Sequence, residues 1–492
     1  MPQLQELFFE SRGKKLFFLI TGIFLTAAII AVVKDQIAFL LFPIVIYIAM
    51  LAIFRMEQLA LFCAFITPLS INLNKTSLGI GVSLPGDPLM FGLFVLFWFK
   101  LLVEGGLDKR ILRHPVTIFI LLHLAWMLVT TLTSTMFVVS LKSTLARFCY
   151  VTVGYFMMLY LFQNLSNIKK FLWLYISTLL VVITYTLYNH FLWGWTEEGA
   201  HISMVPFYND HTAYAAAVAF FIPVVITFVA DKESSATIRF ISGLVLVYLS
   251  IAIVMSYTRA SWVGLLAAFV CWMAFVIRIK TALVYGAIAA VTLLFILFRS
   301  QLFMELEKND KTSSNDMQEH VQSIGNVSND ASNIERLNRW SSALRMFADK
   351  PVFGFGPGTY MFQYAPYQKY SERSIISTNF GEVGGSHSEY LGPLAEEGIF
   401  GSLFMVLIIA STVVTASNIY KRSKRGIRRS LTKALLLGLI TYYVHGILNF
   451  FLDTDKLSIP FWGFTAALVA LDLFHTRKIE EGNKRQGEGV SQ

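Results

Sequence analysis

Uninterrupted apolar runs, each long enough to cross a hydrocarbon core of about 30 Å, recur from Leu16 to Phe474 and constrain this chain more than any other feature. In lipid the backbone has no water to bond with, so each run must satisfy its own amides and carbonyls as a helix. The runs fall at 16–33, 37–54, 58–71, 88–103, 116–134, 145–163, 171–191, 212–230, 239–257, 261–277, 281–298, 398–418, 431–452 and 457–474. The expected fold is therefore all-α, a polytopic transmembrane helix bundle of about 12–14 spans. Only 14% of residues are charged, against about 25% in a soluble domain, which excludes that class.

The net charge of +9 does not indicate nucleic acid, because the basic residues form no single solvated face. They cluster in alternate short loops: Arg12, Lys14 and Lys15; Arg55; Lys109, Arg110 and Arg113; Lys169 and Lys170; Lys232 and Arg239; Arg278 and Lys280; and the run from Lys421 to Arg429. Positively charged loops stay in the cytoplasm, so both termini are expected there. The first run continues past Thr26, Ala27 and Ala28 without a good cleavage site and reads as an uncleaved span, not a signal peptide. Cys63, Cys149 and Cys271 have no spacing that suits a metal or a disulfide framework.

Four regions follow: a transmembrane bundle of about eleven spans over 1–298, a periplasmic loop over 299–397, C-terminal spans over 398–474 and a cytoplasmic tail over 475–492. The long loop begins with a polar stretch, 305–332, that reads as solvated chain. From Ile334 to Phe347 apolar residues recur at Leu337, Trp340, Leu344 and Phe347, which predicts an amphipathic helix with Arg336 and Arg339 on another face. After Pro351, Gly354, Gly356, Pro357 and Gly358 predict a tight turn. A second short helix is expected from Ser386 to Glu397, ending at Gly398.

Three polar groups in these outer segments have chemical potential. Arg259, in Ser256-Tyr-Thr-Arg-Ala-Ser261, is pinched between two apolar runs; it either snorkels to headgroups or clamps a phosphate, which suits guanidinium geometry. Arg336 and Arg339 either face solvent and lipid phosphate or complete an anion site. His387, with Glu389, Glu396 and Glu397 close by in sequence, either caps its helix or takes a proton from a hydroxyl. Asp210 and His211 stand where a loop enters a span; the acid is a helix cap by default and a substrate contact in the minority reading. His123 and His445, inside apolar runs, are expected to hydrogen-bond across the bundle. No HExxH, phosphate-binding loop, GxSxG or acidic metal cluster appears, so the sequence indicates no metal and no cofactor.

Arg336-Leu-Asn-Arg-Trp340, Asp349-Lys-Pro-Val-Phe-Gly-Phe-Gly-Pro-Gly358 and Ser386-His-Ser-Glu-Tyr-Leu391 through Glu397-Gly398 together resemble the O-antigen ligase and O-antigen polymerase superfamily. Arg259 matches that family's S-x-x-R motif, and Phe207-Tyr-Asn-Asp-His211 a looser feature. The resemblance spans roughly 202–401. The count of about fourteen spans exceeds the usual family member by about two.

The resemblance implies a bacterial inner-membrane glycosyltransferase that takes a glycan from an undecaprenyl diphosphate carrier on the periplasmic side. It implies His387 as the base and Arg259, Arg336 and Arg339 as diphosphate ligands, with Glu389, Tyr390, Asp210 and His211 as possible substrate contacts. The reaction would be inverting and metal-independent. The favoured acceptor is lipid A core, with membrane lipids around it. A glycan acceptor would make the chain an O-antigen or exopolysaccharide polymerase, and a protein hydroxyl would make it a protein O-oligosaccharyltransferase. A lipid-linked glycan flippase or transporter is the rival of another class, but its ionisable groups would sit near the midplane.

Overall fold

The computed structural model describes residues 22, 56–73, 82–277, 331–373, 377, 384–424 and 426–476. The runs at 16–33 (Gly22 excepted), 37–54 and 281–298, most of the polar stretch before residue 331 and the tail after residue 476 lie outside the described residues.

The described chain is almost wholly helical: α1 Met56–Ile66, α2 Gly86–Glu104, α3 Pro115–Leu132, α4 Phe137–Leu161, α5 Leu165–Leu192, α6 Glu197–Ile202, α7 His211–Ala230, α8 Ala236–Met255, α9 Arg259–Ile277, α10 Ala331–Asp349, α11 Leu391–Arg422, α12 Ile427–Leu448 and α13 Asp455–His475. Ten of these are long and apolar enough to cross a membrane: α2 to α5, α7 to α9 and α11 to α13. The chain is a multi-pass membrane protein. The run at 58–71 gives only a shorter apolar helix, Met56–Leu69. A two-stranded antiparallel hairpin, Ile71–Leu73 with Val82–Leu84, is an addition that the all-α expectation did not contain.

Local chemistry sets the helix starts. Pro115 opens α3 with the His114 ring accepting the Val116 amide, and Asn164, Thr196, Asp210 and Ser235 cap α5 to α8 through their side chains. Helices α7 and α13 are buried nearly all round, which explains apolar residues on every face of both. Small residues let neighbours approach closely. A Cβ at Gly264 of α9 would lie 2.5 Å from the Thr441 carbonyl of α12, and one at Gly438 would lie 2.7 Å from the Phe220 carbonyl of α7.

One end of the bundle is basic. There Arg110 lies over the Phe474 ring, Arg428 donates to the His475 carbonyl and His114 faces Asp472 at 3.6 Å. The opposite end carries α10, the turn after it and the segment leading into α11. Residues 386–390 do not form the expected helix, because His387 has φ 50, a left-handed conformation that a right-handed helix cannot hold. The Ser388 hydroxyl instead accepts the amides of Tyr390 and Leu391, and the helix starts at Leu391.

At Gly398 (φ 70) α11 breaks and restarts, and the Ile399 amide turns to the Pro351 carbonyl at 2.9 Å. A Cβ at Gly398 would meet the Val352 carbonyl oxygen at 2.0 Å, and one at Gly354 (φ 63) would meet that of Glu396 at 2.4 Å. The two glycines interlock the turn after α10 with the start of α11, a docking that only bare backbone permits.

Candidate functional site

The site is assembled around the end of α12. Ser261, one turn into α9, shares a hydrogen bond of 3.3 Å with His445 Nδ1, and Asn449 Nδ2 lies 3.2 Å from His445 Nε2. The Ser261 contact matches the cross-bundle role expected for His445, whereas Asn449 is the cap of the same helix, one turn on. The adjacent Leu448 carbonyl accepts Arg336 Nε at 3.2 Å. One turn further along α10, Trp340 Nε1 donates to the His387 carbonyl at 3.3 Å. These links bring the start of α9, where Arg259 sits, into one region with Arg336 and His387.

The two arginines of α10 stand in different surroundings. Arg339 is 2% exposed. Its Nε donates to Glu335 Oε1 at 2.7 Å, its Nη1 to the carbonyls of Gly384 and Gly385, and its guanidinium lies over the Tyr364 ring. A bare Gly384 makes room for it. Arg339 therefore holds the segment that carries His387, whereas Arg336 is only half-buried.

His387 is half-buried, edge-on to Phe450 with ring centroids 6.4 Å apart. Among the described residues, no side chain hydrogen-bonds its ring. Burial, then the guanidinium groups of Arg336 and Arg339, push its pKa down to about 4, against a smaller opposing pull from Asp210 and Glu335. The imidazole is thus neutral at neutral pH and able to accept a proton.

Asp210 caps α7: Oδ1 accepts the Thr212 amide at 2.7 Å and lies 3.1 Å from His211 Nδ1. Burial works to raise this carboxyl, but the His211 contact and the Thr212 hydrogen bonds hold it below the usual carboxylate range. The His211 ring stacks on His201 at 4.1 Å, and the Thr258 hydroxyl, beside Arg259, contacts the His211 carbonyl at 3.5 Å. Both residues stand at the same end of the bundle as His387.

Glu389 is buried, and its Oε1 accepts from Tyr442 Oη and from the amides of Phe451 and Leu452 at 2.5, 2.7 and 2.9 Å. Tyr390 Oη donates to the Tyr443 carbonyl at 2.8 Å. Glu396 accepts the amides of Gly358 and Tyr360, both at 2.9 Å. Glu397 meets His123 at 3.1 Å, the cross-bundle contact expected for that histidine. Nothing local in the chain separates these carboxylates, since their partners are distant in sequence. Asn449 and Glu335 were missed although their partners, His445 and Arg339, are only four residues away in the same helix or its cap, a spacing that could have flagged both.

Residues 244–406 match the family model described as O-antigen ligase. The match takes in less than half of the chain. That segment holds Arg259, Arg336, Arg339 and His387, and it overlaps three of the ten long apolar helices, α8, α9 and α11. No curated protein matches the chain.

Proposed function

We propose that this protein is a bacterial inner-membrane glycosyltransferase of the O-antigen ligase type. It moves a glycan from undecaprenyl diphosphate to lipid A core on the periplasmic side, with both termini in the cytoplasm. The observation that carries this reading is that helix α10, within the segment matching the O-antigen ligase model, bonds the His387 backbone through Trp340 and the end of α12 through the half-buried Arg336.

The isoprenoid stays in lipid while its diphosphate enters between Arg259 and Arg336. An acceptor hydroxyl attacks the anomeric carbon from the face opposite the diphosphate. His387 takes the hydroxyl proton as the new glycosidic bond forms, and the bond from the anomeric carbon to the diphosphate oxygen breaks. The electron pair leaves on the diphosphate, where the two guanidinium groups stabilise the developing charge. Direct displacement inverts the anomeric configuration. Diphosphate is a sufficient leaving group for the reaction to proceed without a metal. Arg339 acts one step removed, by fixing the backbone before His387. Asp210 and His211 supply further polar contacts to the donor.

Purified protein in lipid nanodiscs, given undecaprenyl-diphosphate-linked glycan and lipid A core, tests the reading. Expected are a lipid A core–glycan product with inverted linkage by NMR, turnover in excess EDTA, and loss of turnover in folded His387→Ala and Arg259→Ala. Native turnover in either variant would overturn the site. Chain extension of the carrier-linked glycan in place of ligation would make the protein a polymerase, and carrier translocation without transfer would make it a flippase.

A further inference from the structure

The last turn of α12 lies beyond residues 244–406, yet it bonds the elements that carry Arg259, Arg336 and His387. Towards α9 it offers His445, whose Nδ1 lies 3.3 Å from Ser261 Oγ. Towards α10 it offers the Leu448 carbonyl, which accepts Arg336 Nε at 3.2 Å. Towards the segment bearing His387 it offers the Gly446 carbonyl, which accepts the Glu389 amide at 2.8 Å. The last carbonyls of a helix have no partner within it, and at this end two of them are taken by groups of the site.

His445 ties this junction together. It is 1% exposed, as is Ser261, and Asn449 is 3% exposed. Asn449 Nδ2, a donor, stands 3.2 Å from His445 Nε2, so that nitrogen accepts and Nδ1 carries the hydrogen that Ser261 Oγ receives. Asn449 is extended (φ −149, ψ 168) and ends the helix at Leu448, so holding its side chain also holds the carbonyl that Arg336 meets. One turn deeper, α9 touches α12 through bare backbone, where a Cβ at Gly264 would lie 2.5 Å from the Thr441 carbonyl oxygen. A glycine contact leaves two helices free to slide and rotate, whereas a hydrogen bond between side chains fixes direction. The Ser261–His445 bond thus fixes the first turn of α9, in which Arg259 stands two residues before Ser261.

We propose that His445 is a positioning residue for the donor: through Ser261 on one side and the Asn449 cap on the other, it sets the separation of Arg259 and Arg336 to the span of a diphosphate. This rests on the reading above, in which those two arginines hold the carrier diphosphate. Either arginine alone can meet a monophosphate, but the two phosphoryl groups of a diphosphate need both guanidinium groups at one spacing. The groups ride on different helices, and a misplacement of about 1 Å can cost on the order of 10²-fold in rate. Packing alone does not call for this histidine. Its neighbours Tyr442 and Phe451, with ring centroids 6.3 and 5.8 Å away, would pack as well on a phenylalanine.

The test uses the full chain in nanodiscs and measures binding of undecaprenyl diphosphate and of undecaprenyl monophosphate, neither carrying a glycan. His445→Phe keeps a ring and loses both hydrogen bonds, and Ser261→Ala loses only the bond to α9. Each is expected to weaken diphosphate binding about tenfold or more, while monophosphate binding changes less than about threefold. In an Arg259→Ala background, His445→Phe should weaken the diphosphate no further, because no spacing is left to set. If one of the two variants does not fold, by gel filtration and thermal melting, the other decides. Unchanged diphosphate binding, an equal loss for both lipids, or a loss that adds to that of Arg259→Ala overturns the positioning role while leaving the reaction intact. If wild-type protein holds the diphosphate no more tightly than the monophosphate, the arginine clamp falls, and the role of His445 falls with it.

Discussion

The Glu389 carboxylate accepts the Phe451 amide at 2.7 Å, joining the segment that bears His387 to the turn between α12 and α13 across 62 positions of sequence. The same oxygen also takes the Leu452 amide and the Tyr442 hydroxyl. Glu389→Ala would leave two buried donors, the Tyr442 hydroxyl and the Leu452 amide, without this acceptor, each costing about 1–3 kcal/mol, while the Phe451 amide keeps the Tyr442 oxygen. We expect a markedly lower melting temperature in detergent and loss of transfer. Glu389→Gln keeps an acceptor oxygen and should melt close to wild type with activity reduced less than tenfold (about 1.4 kcal/mol). Loss of activity in a normally melting Glu389→Gln would instead make this carboxylate a substrate contact.

Arg336 and Arg339 should separate in a paired experiment. Arg336→Ala is expected to fold normally and to lower kcat by on the order of 10²–10³, the size of effect seen when one donor to a developing anion is removed. Arg339→Ala strips the buried Glu335 carboxylate of its 2.7 Å partner, and breaking a buried pair costs about 3–5 kcal/mol. Its signature is a lowered melting temperature, with activity recovered at low temperature. The reverse pattern would exchange the two roles.

The ten long apolar helices were legible from hydropathy because lipid forces a simple rule on the backbone. The helix around Arg336 and the glycine turn were legible because both are local patterns. What escaped was any role fixed by distant chain. Glu389, Glu396 and Glu397 look alike in sequence, yet one holds the α12–α13 turn, one caps the glycine turn and one pairs with His123. The stop at residues 386–390 was also hidden, since a histidine at φ 50 is held there by tertiary contacts, not by local preference.

The pH dependence should report His387. Its folded pKa of about 4 lies below the unfolded value of about 6.5, so between those values the unfolded chain binds the extra proton. Stability from this group is complete above about pH 6.5 and is lost as pH falls towards 4. For activity, the base stays neutral down to the folded pKa, so the acidic limb of kcat/KM should fall near pH 4 in the free enzyme. Arg336→Gln removes one of the guanidinium groups that depress the histidine, and the limb should move up in pH. A limb that ignores this substitution would mean that another group is the base.

The interlocked glycines make a prediction about where damage stops. Gly398→Ala sets a methyl 2.0 Å from the Val352 carbonyl oxygen and imposes a side chain at φ 70, while Gly354→Ala meets Glu396 backbone at 2.4 Å. Neither contact can relax through a flexible side chain, so the turn after α10 must separate from the start of α11. That separation would withdraw the Gly358 and Tyr360 amides from Glu396 and shift the Pro351 carbonyl from Ile399. The helices of the bundle keep their own hydrogen bonds throughout. Far-ultraviolet circular dichroism should therefore be nearly unchanged, while amide exchange over 351–364 accelerates and transfer is lost. Gly243→Ala, in α8, where a methyl meets nothing within 4 Å, is the matched control and should leave all three readouts as they are.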